Sequence, residues 1–181
     1  MKAGSRPGGV TGLAIRAATL DDVVAIAAVN VRAWKAAYRG LLPDAVLERL
    51  DVHERRGART GWMAADRPPE QRTWVITSGE KVIGYSDTGL ARETDAQPAW
   101  GEVWTVYLDP EHWATGAGRE LFSHATADLT NRGYAPLILW TMEGNARARR
   151  FYEAAGWRWD GARKADDRGD HVIHEVRYRL G

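Results

Sequence analysis

The stretch Glu102–Asn131, EVWTVYLDPEHWATGAGRELFSHATADLTN, decides the fold. It opens on an apolar, β-branched and aromatic segment, passes through a Gly-containing turn, and continues with Leu121, Phe122, Ala125 and Leu129 at helical spacing. That pattern is strand, loop, helix. The first turn of a helix has backbone N–H groups without partners and carries the positive end of the dipole, so such a junction attracts an anion. Gly116 and Gly118 let a phosphate approach the backbone with no Cβ in the way, and a pyrophosphate fits there. The same glycines also fit a plain turn. Gly116-Ala117-Gly118-Arg119-Glu120-Leu121 lacks the third glycine of a dinucleotide fingerprint, and no Gly-Lys-Ser/Thr follows as in a P-loop.

A second segment narrows the choice: Gly144-Asn145-Ala146-Arg147-Ala148-Arg149-Arg150-Phe151-Tyr152-Glu153-Ala154-Ala155-Gly156-Trp157. With it, the chain resembles the GNAT superfamily of N-acetyltransferases. In that family the acetyl-CoA loop reads Arg/Gln-x-x-Gly-x-Gly/Ala, and a later helix reads Asn-x-x-Ala-x-x-x-Tyr and ends in Gly-Phe/Trp. Both halves stand in the right order, and the pair is far more specific than either motif alone.

The resemblance implies an α/β fold: a central mixed β-sheet of about seven strands flanked by about four helices, with parallel, splayed strands around 102–108 and 136–142. Outward from the opening stretch, periodicity predicts a strand over 13–16. A helix follows, capped by Thr19 or Asp21, with a stripe from Leu20 through Val31, Trp34 and Tyr38. Two further helical segments start near Pro43 and Asp51, and a hairpin over 72–90 turns at Gly79-Glu80. Gly84 inside that hairpin marks a bulge or a close backbone approach. The expected order ends with a buried strand 136–142, a helix capped by Asn145, and strands 157–163 and 171–180 around a polar loop. We expect a disordered leader over 1–12 and one domain over 13–181.

Lys+Arg 25 against Asp+Glu 24 leaves a net charge of +1, with no long block of one sign, which argues against a nucleic-acid partner. Absence of cysteine excludes disulfides, a thiol nucleophile and Cys-type zinc sites. No apolar run is long enough to span a bilayer, and the N-terminal residues lack a signal-peptide core, so the expectation is a cytoplasmic protein without a membrane partner. His171 and His174 point to opposite faces of a predicted strand, and the other histidines lack ligand spacing, so no metal site is expected.

The resemblance carries specific roles. Acetyl-CoA is the implied cofactor, its pantetheine arm lying against the backbone of Val106, Tyr107 and Leu108, and its pyrophosphate on the N–H groups of Ala114, Thr115, Gly116, Ala117, Gly118 and Arg119. Trp113 stands where the family has Arg or Gln, which puts one side-chain contact in doubt. Arg119, Arg147 and Arg149 are candidates for a phosphate contact or plain surface arginines. Asn145 matches a residue on the pantetheine side, and Tyr152, two helical turns on, matches the acid that protonates the departing sulfur. A lone helix Tyr is otherwise core packing. Glu102 matches a general base of several relatives, although a strand-end carboxylate is as readily just solvated. Trp34 and Tyr38, with Trp62 beside them, are candidates for the substrate pocket or for the core. The implied reaction is direct transfer of acetyl to an amine of a small molecule or peptide in a ternary complex. A non-catalytic acyl-CoA sensor and an unrelated nucleotide-phosphate binder are the rival readings, and a homodimer stays open.

Overall fold

The computed structural model describes residues 12–93, 96–97, 99–169 and 171–181. Of the expected leader, residues 1–11 lie outside the described residues. Strand β1 (Leu13–Ala17) leads through a 3-10 turn, Leu20–Asp22, into α1 (Val23–Ala37). The turn forms because Asp22 accepts from the N–H of Thr19 and holds both guanidinium nitrogens of Arg16, each at 2.7 Å. Short α2 (Asp44–Glu48) follows, then α3 (Val52–Ala64), whose start is fixed by Asp51 accepting from the N–H groups of His53 and Glu54.

Strands β2 (Arg72–Ser78) and β3 (Lys81–Leu90) form the expected hairpin, and β3 pairs with β4 (Gly101–Leu108). A second 3-10 turn, Pro110–His112, leads to α4 (Ala117–Asn131), which crosses to β5 (Leu137–Met142). Then come α5 (Ala146–Ala154), β6 (Arg158–Asp167) and β7 (Val172–Leu180). Among the described residues seven strands form one sheet in the order β1-β2-β3-β4-β5-β7-β6, and within it only the β4–β5 pairing is parallel. The described residues hold five α-helices where about four were expected; the extra one is the five-residue α2. Strand β6 also runs four residues past its expected end at Arg163, because the cross-strand pair Lys164–Glu175 and its neighbours continue the ladder.

Alternation along the strands divides the core between two faces. Ile26 and Val29 of α1 pack on Val75 and Tyr85, with Met63 of α3 beside them. On the other face, Leu121 of α4 meets Ile76, Ile83 and Leu108, while Phe122 and Leu129 join Tyr152, Trp157 and Tyr178. Gly84 sits where a Cβ would stand 2.6 Å from Leu108 and 2.8 Å from the Tyr107 carbonyl, and the hairpin register shifts beside it, so both expectations for that glycine hold. Among the described residues no helix is long and apolar enough to cross a membrane.

Candidate active site

The site begins where two strands part. β4 and β5 pair only at Gly101–Leu137 and Glu102–Ile138; beyond that point their facing edges share no ladder. The cause is visible on the opposite edge of β4. Asp87 pairs with Thr105 and Thr88 with Val103, so Trp104 is an extra residue that bends the strand. The open edge from Val106 to Leu108 therefore faces a cleft of about 500 Å³ bounded across the gap by Trp140, Thr141 and Met142.

One end of this cleft is the junction picked out from the sequence. Asp109 caps the 3-10 turn while its carboxylate pairs with Arg32 at 2.6 Å. Ala114 at φ 61 and Gly116 at φ 96 then turn the chain sharply, and Gly116 is the N-cap of α4. The first α-helical bond runs from Glu120 N–H to the Gly116 carbonyl, so the N–H groups of Gly118 and Arg119 precede it. A Cβ on Gly118 would be at ordinary contact distance from Leu108 and Phe151, 3.8 and 4.0 Å, whereas Gly116 is a glycine because of its backbone angle.

Trp113 has turned its indole inward, donating Nε1–H to the Leu108 carbonyl at 2.9 Å. Over its ring, 3.4 Å from the centroid, lies the guanidinium of Arg147 from α5. Arg147 and Arg119 line the cleft, and neither makes an ion pair among the described residues. Partial burial with no acidic neighbour lowers the pKa of Arg147, an arrangement that suits an anionic ligand. Arg149 is turned elsewhere, bonded to the Tyr178 hydroxyl and the Glu143 carbonyl.

Farther in, Tyr152 lines the cleft at 8% exposure, packed against Phe122, Phe151 and Tyr178. Its phenol is raised by burial and secondarily by Tyr38, so it keeps its proton at neutral pH. Tyr38 and Tyr107 approach oxygen to oxygen at 3.4 Å, and burial raises both. Tyr107, expected to offer only its backbone, thus brings a side chain too. Asn145 caps α5 by accepting from Ala148 N–H and lines the cleft.

Glu102, expected as a candidate base, lies away from both cavities. Its side chain is 3% exposed, lines neither cavity described here, and is held by the N–H and guanidinium of Arg92. Two carboxylates do line the cleft, Asp166 on β6 and Glu175 on β7, and the second is raised by burial, with Lys164 opposing the shift and Asp166 adding to it. No motif marks Glu175 in the sequence. It reaches the site only because β7 pairs with β5, which puts Glu175 opposite Met142.

Trp34 of α1 and Tyr38, the residue that caps its C-terminus, meet edge to face at 4.9 Å. Tyr38 stays with the cofactor-side cleft. Trp34 also lines a second cavity of about 710 Å³ between α1, α3 and the β3–β4 pair, and Trp62 is on that cavity's wall. Asp109, Glu111 and His112 could offer ligand atoms within 4.8 Å of one another, but the Asp109 carboxylate is already neutralised by Arg32.

The model of the acetyltransferase (GNAT) family matches residues 31–157. The uncharacterized N-acetyltransferase YuaI of Bacillus subtilis is 27% identical, the match covering 72% of each chain. A mycothiol acetyltransferase of Thermobispora bispora is 43% identical over 65% of this chain and 48% of its own length, so the chain spans about half of that protein. Among solved structures, the PaiA N-acetyltransferase of Thermoplasma acidophilum in complex with coenzyme A superposes with a TM-score of 0.71 at 18% identity, covering 91% of this chain and 98% of that one.

Proposed function

The chain belongs to the acetyltransferase (GNAT) family, and from that premise we propose that it transfers acetyl from acetyl-CoA directly to the amine of a small molecule or peptide, with Tyr152 as acid and Glu175 as base. The observation that carries this reading is the parting of β4 and β5 beyond Glu102–Ile138, which leaves one open strand edge running from the α4 N-terminus toward the Tyr152 phenol. An extended pantetheine can add to such an edge through backbone hydrogen bonds. The residues present fit the cofactor at its other end as well: the N–H groups of Gly118 and Arg119 and the unpaired guanidinium of Arg147 suit its phosphates.

Bound acetyl-CoA supplies the activated thioester. The chain's own contribution is to position and to move protons. Tyr152 holds a proton at its phenol oxygen for the departing sulfur, and burial raises the cost of a phenolate and of a thiolate together, which keeps their proton affinities comparable. Glu175, whose raised pKa makes it a stronger base than an exposed carboxylate, accepts the proton of the incoming ammonium, directly or through one water. Glu102 with Arg92 instead ties the start of β4 to the segment after β3.

Titration calorimetry with acetyl-CoA, followed by thiol release across a panel of amines, tests the proposal. Binding with release supports it; binding without release for any amine points to an acyl-CoA sensor; no binding removes it.

A further inference from the structure

The larger cavity, about 710 Å³, meets the cofactor cleft only at Trp34, Trp104, Thr105 and Tyr107. We propose that it is the acceptor site, and that its acceptor is an amine bearing a carboxylate on an apolar body, as amino acids do. This rests on reading the adjoining cleft as the acetyl-CoA site.

The polar groups of the cavity do not balance. Arg59 spends both terminal nitrogens on Asp87, at 2.8 Å each, and its Nε–H is buried without a partner. The indole N–H of Trp34 is likewise buried and unpartnered. Arg55, one turn before Arg59 on α3, lies 5.0 Å above the Trp34 ring and pairs with no acid among the described residues. Three donor groups therefore lack acceptors on one side of the cavity.

The acids nearby do not meet that need. The Asp87 oxygens are taken by Arg59, Thr73 and Thr105, and Arg92 is paired with Glu102. Among the described residues Glu70 is the remaining acid on the lining, and it makes no ion pair with Arg55. A donor without an acceptor favours an incoming anion, so a planar carboxylate that pairs with Arg55, beside the buried Trp34 and Arg59 donors, binds there preferentially.

A complementary orphan serves the ligand's amine. Asn30, 8% exposed, donates its amide to the Tyr85 hydroxyl at 2.7 Å, while its Oδ1 is buried and free to accept from an amine N–H. Trp62, Tyr85 and Trp104 supply apolar walls for the ligand's side chain.

The experiment measures thiol release at saturating acetyl-CoA for each of the common amino acids beside its own C-terminal amide, with acetyl-CoA binding measured on the same samples. At least one amino acid is expected to show kcat/KM tenfold or more above its amide. Arg55→Gln should bring that ratio close to one and leave the KM for acetyl-CoA unchanged. The proposal is overturned if no amino acid exceeds its amide, whether amides are preferred, only carboxylate-free amines react, or nothing reacts although acetyl-CoA binds. It is also overturned if Arg55→Gln preserves the ratio. Failure to bind acetyl-CoA would instead remove the cofactor reading beneath it.

Discussion

Arg147 stands on Trp113, its guanidinium 3.4 Å from the ring centroid, although the two residues come from different sides of β5 in the chain. The family motif has a cationic or amide side chain at position 113; here an aromatic platform holds a cation delivered by α5. The departure seen in the sequence is thus answered by a contact across the fold.

If Arg147 meets a cofactor phosphate, Arg147→Gln should raise the KM for acetyl-CoA roughly tenfold, the equivalent of one charge-assisted hydrogen bond, with kcat little changed. The loss should vanish with a truncated acetyl-pantetheine donor that has no nucleotide. An equal loss with both donors would move Arg147 away from the phosphates.

Tyr152→Phe removes only a hydroxyl from a packed aromatic cluster. We expect kcat to fall about a hundredfold or more while acetyl-CoA affinity, measured calorimetrically, stays close to wild type. Unchanged turnover would leave Tyr152 as a core residue.

Glu175 and Glu102 should separate by pH and by heat. The Glu175 carboxyl titrates above the ordinary carboxylate range, so wild-type kcat/KM should drop as pH falls through that raised pKa; Glu175→Gln should be slow and lack the inflection. Because the folded state holds that proton more tightly than the unfolded chain, ionising Glu175 costs stability as pH rises, and Glu175→Gln should keep or raise Tm at neutral pH. Glu102→Gln weakens the clasp on Arg92 and should lower Tm by roughly 2–4 °C, about 1 kcal/mol, with the pH profile intact. A reversed pattern would restore Glu102 as the base.

Gly118→Ala tests the cradle apart from the fold. The added Cβ meets Leu108 and Phe151 at ordinary distances, and alanine favours a helix over glycine by up to about 1 kcal/mol, so Tm should hold or rise. Acetyl-CoA affinity should nonetheless fall, since the methyl enters the space the phosphate needs. Retained affinity would place the phosphates elsewhere.

Local signals in the chain were legible wherever a residue's neighbours in sequence are also its neighbours in space. The helical stripe after Gly116, the Asp51 and Asn145 caps, the Gly79-Glu80 turn and the strand preceding Asp109 each depend on contacts within a few residues. The turn we propose for the phosphates belongs to this class, because backbone angles and the N–H groups of one helix start create it.

The amino-acid sequence by itself therefore determined the element order, the mixed sheet, the Gly-containing turn before α4 and the resemblance that names its chemistry. Only the tertiary structure decided which carboxylates line the cleft: Glu102 is buried under Arg92 while Glu175, seventy-three positions later, is carried there by the β5–β7 pairing. It also decided that Arg147 covers Trp113 and that unpaired donors from α1 and α3 share one cavity. The physical reason is the same in each case. Helix and turn propensity act over a few residues, whereas the field at a side chain and its access to solvent are set by strands and helices that meet only after the chain has folded.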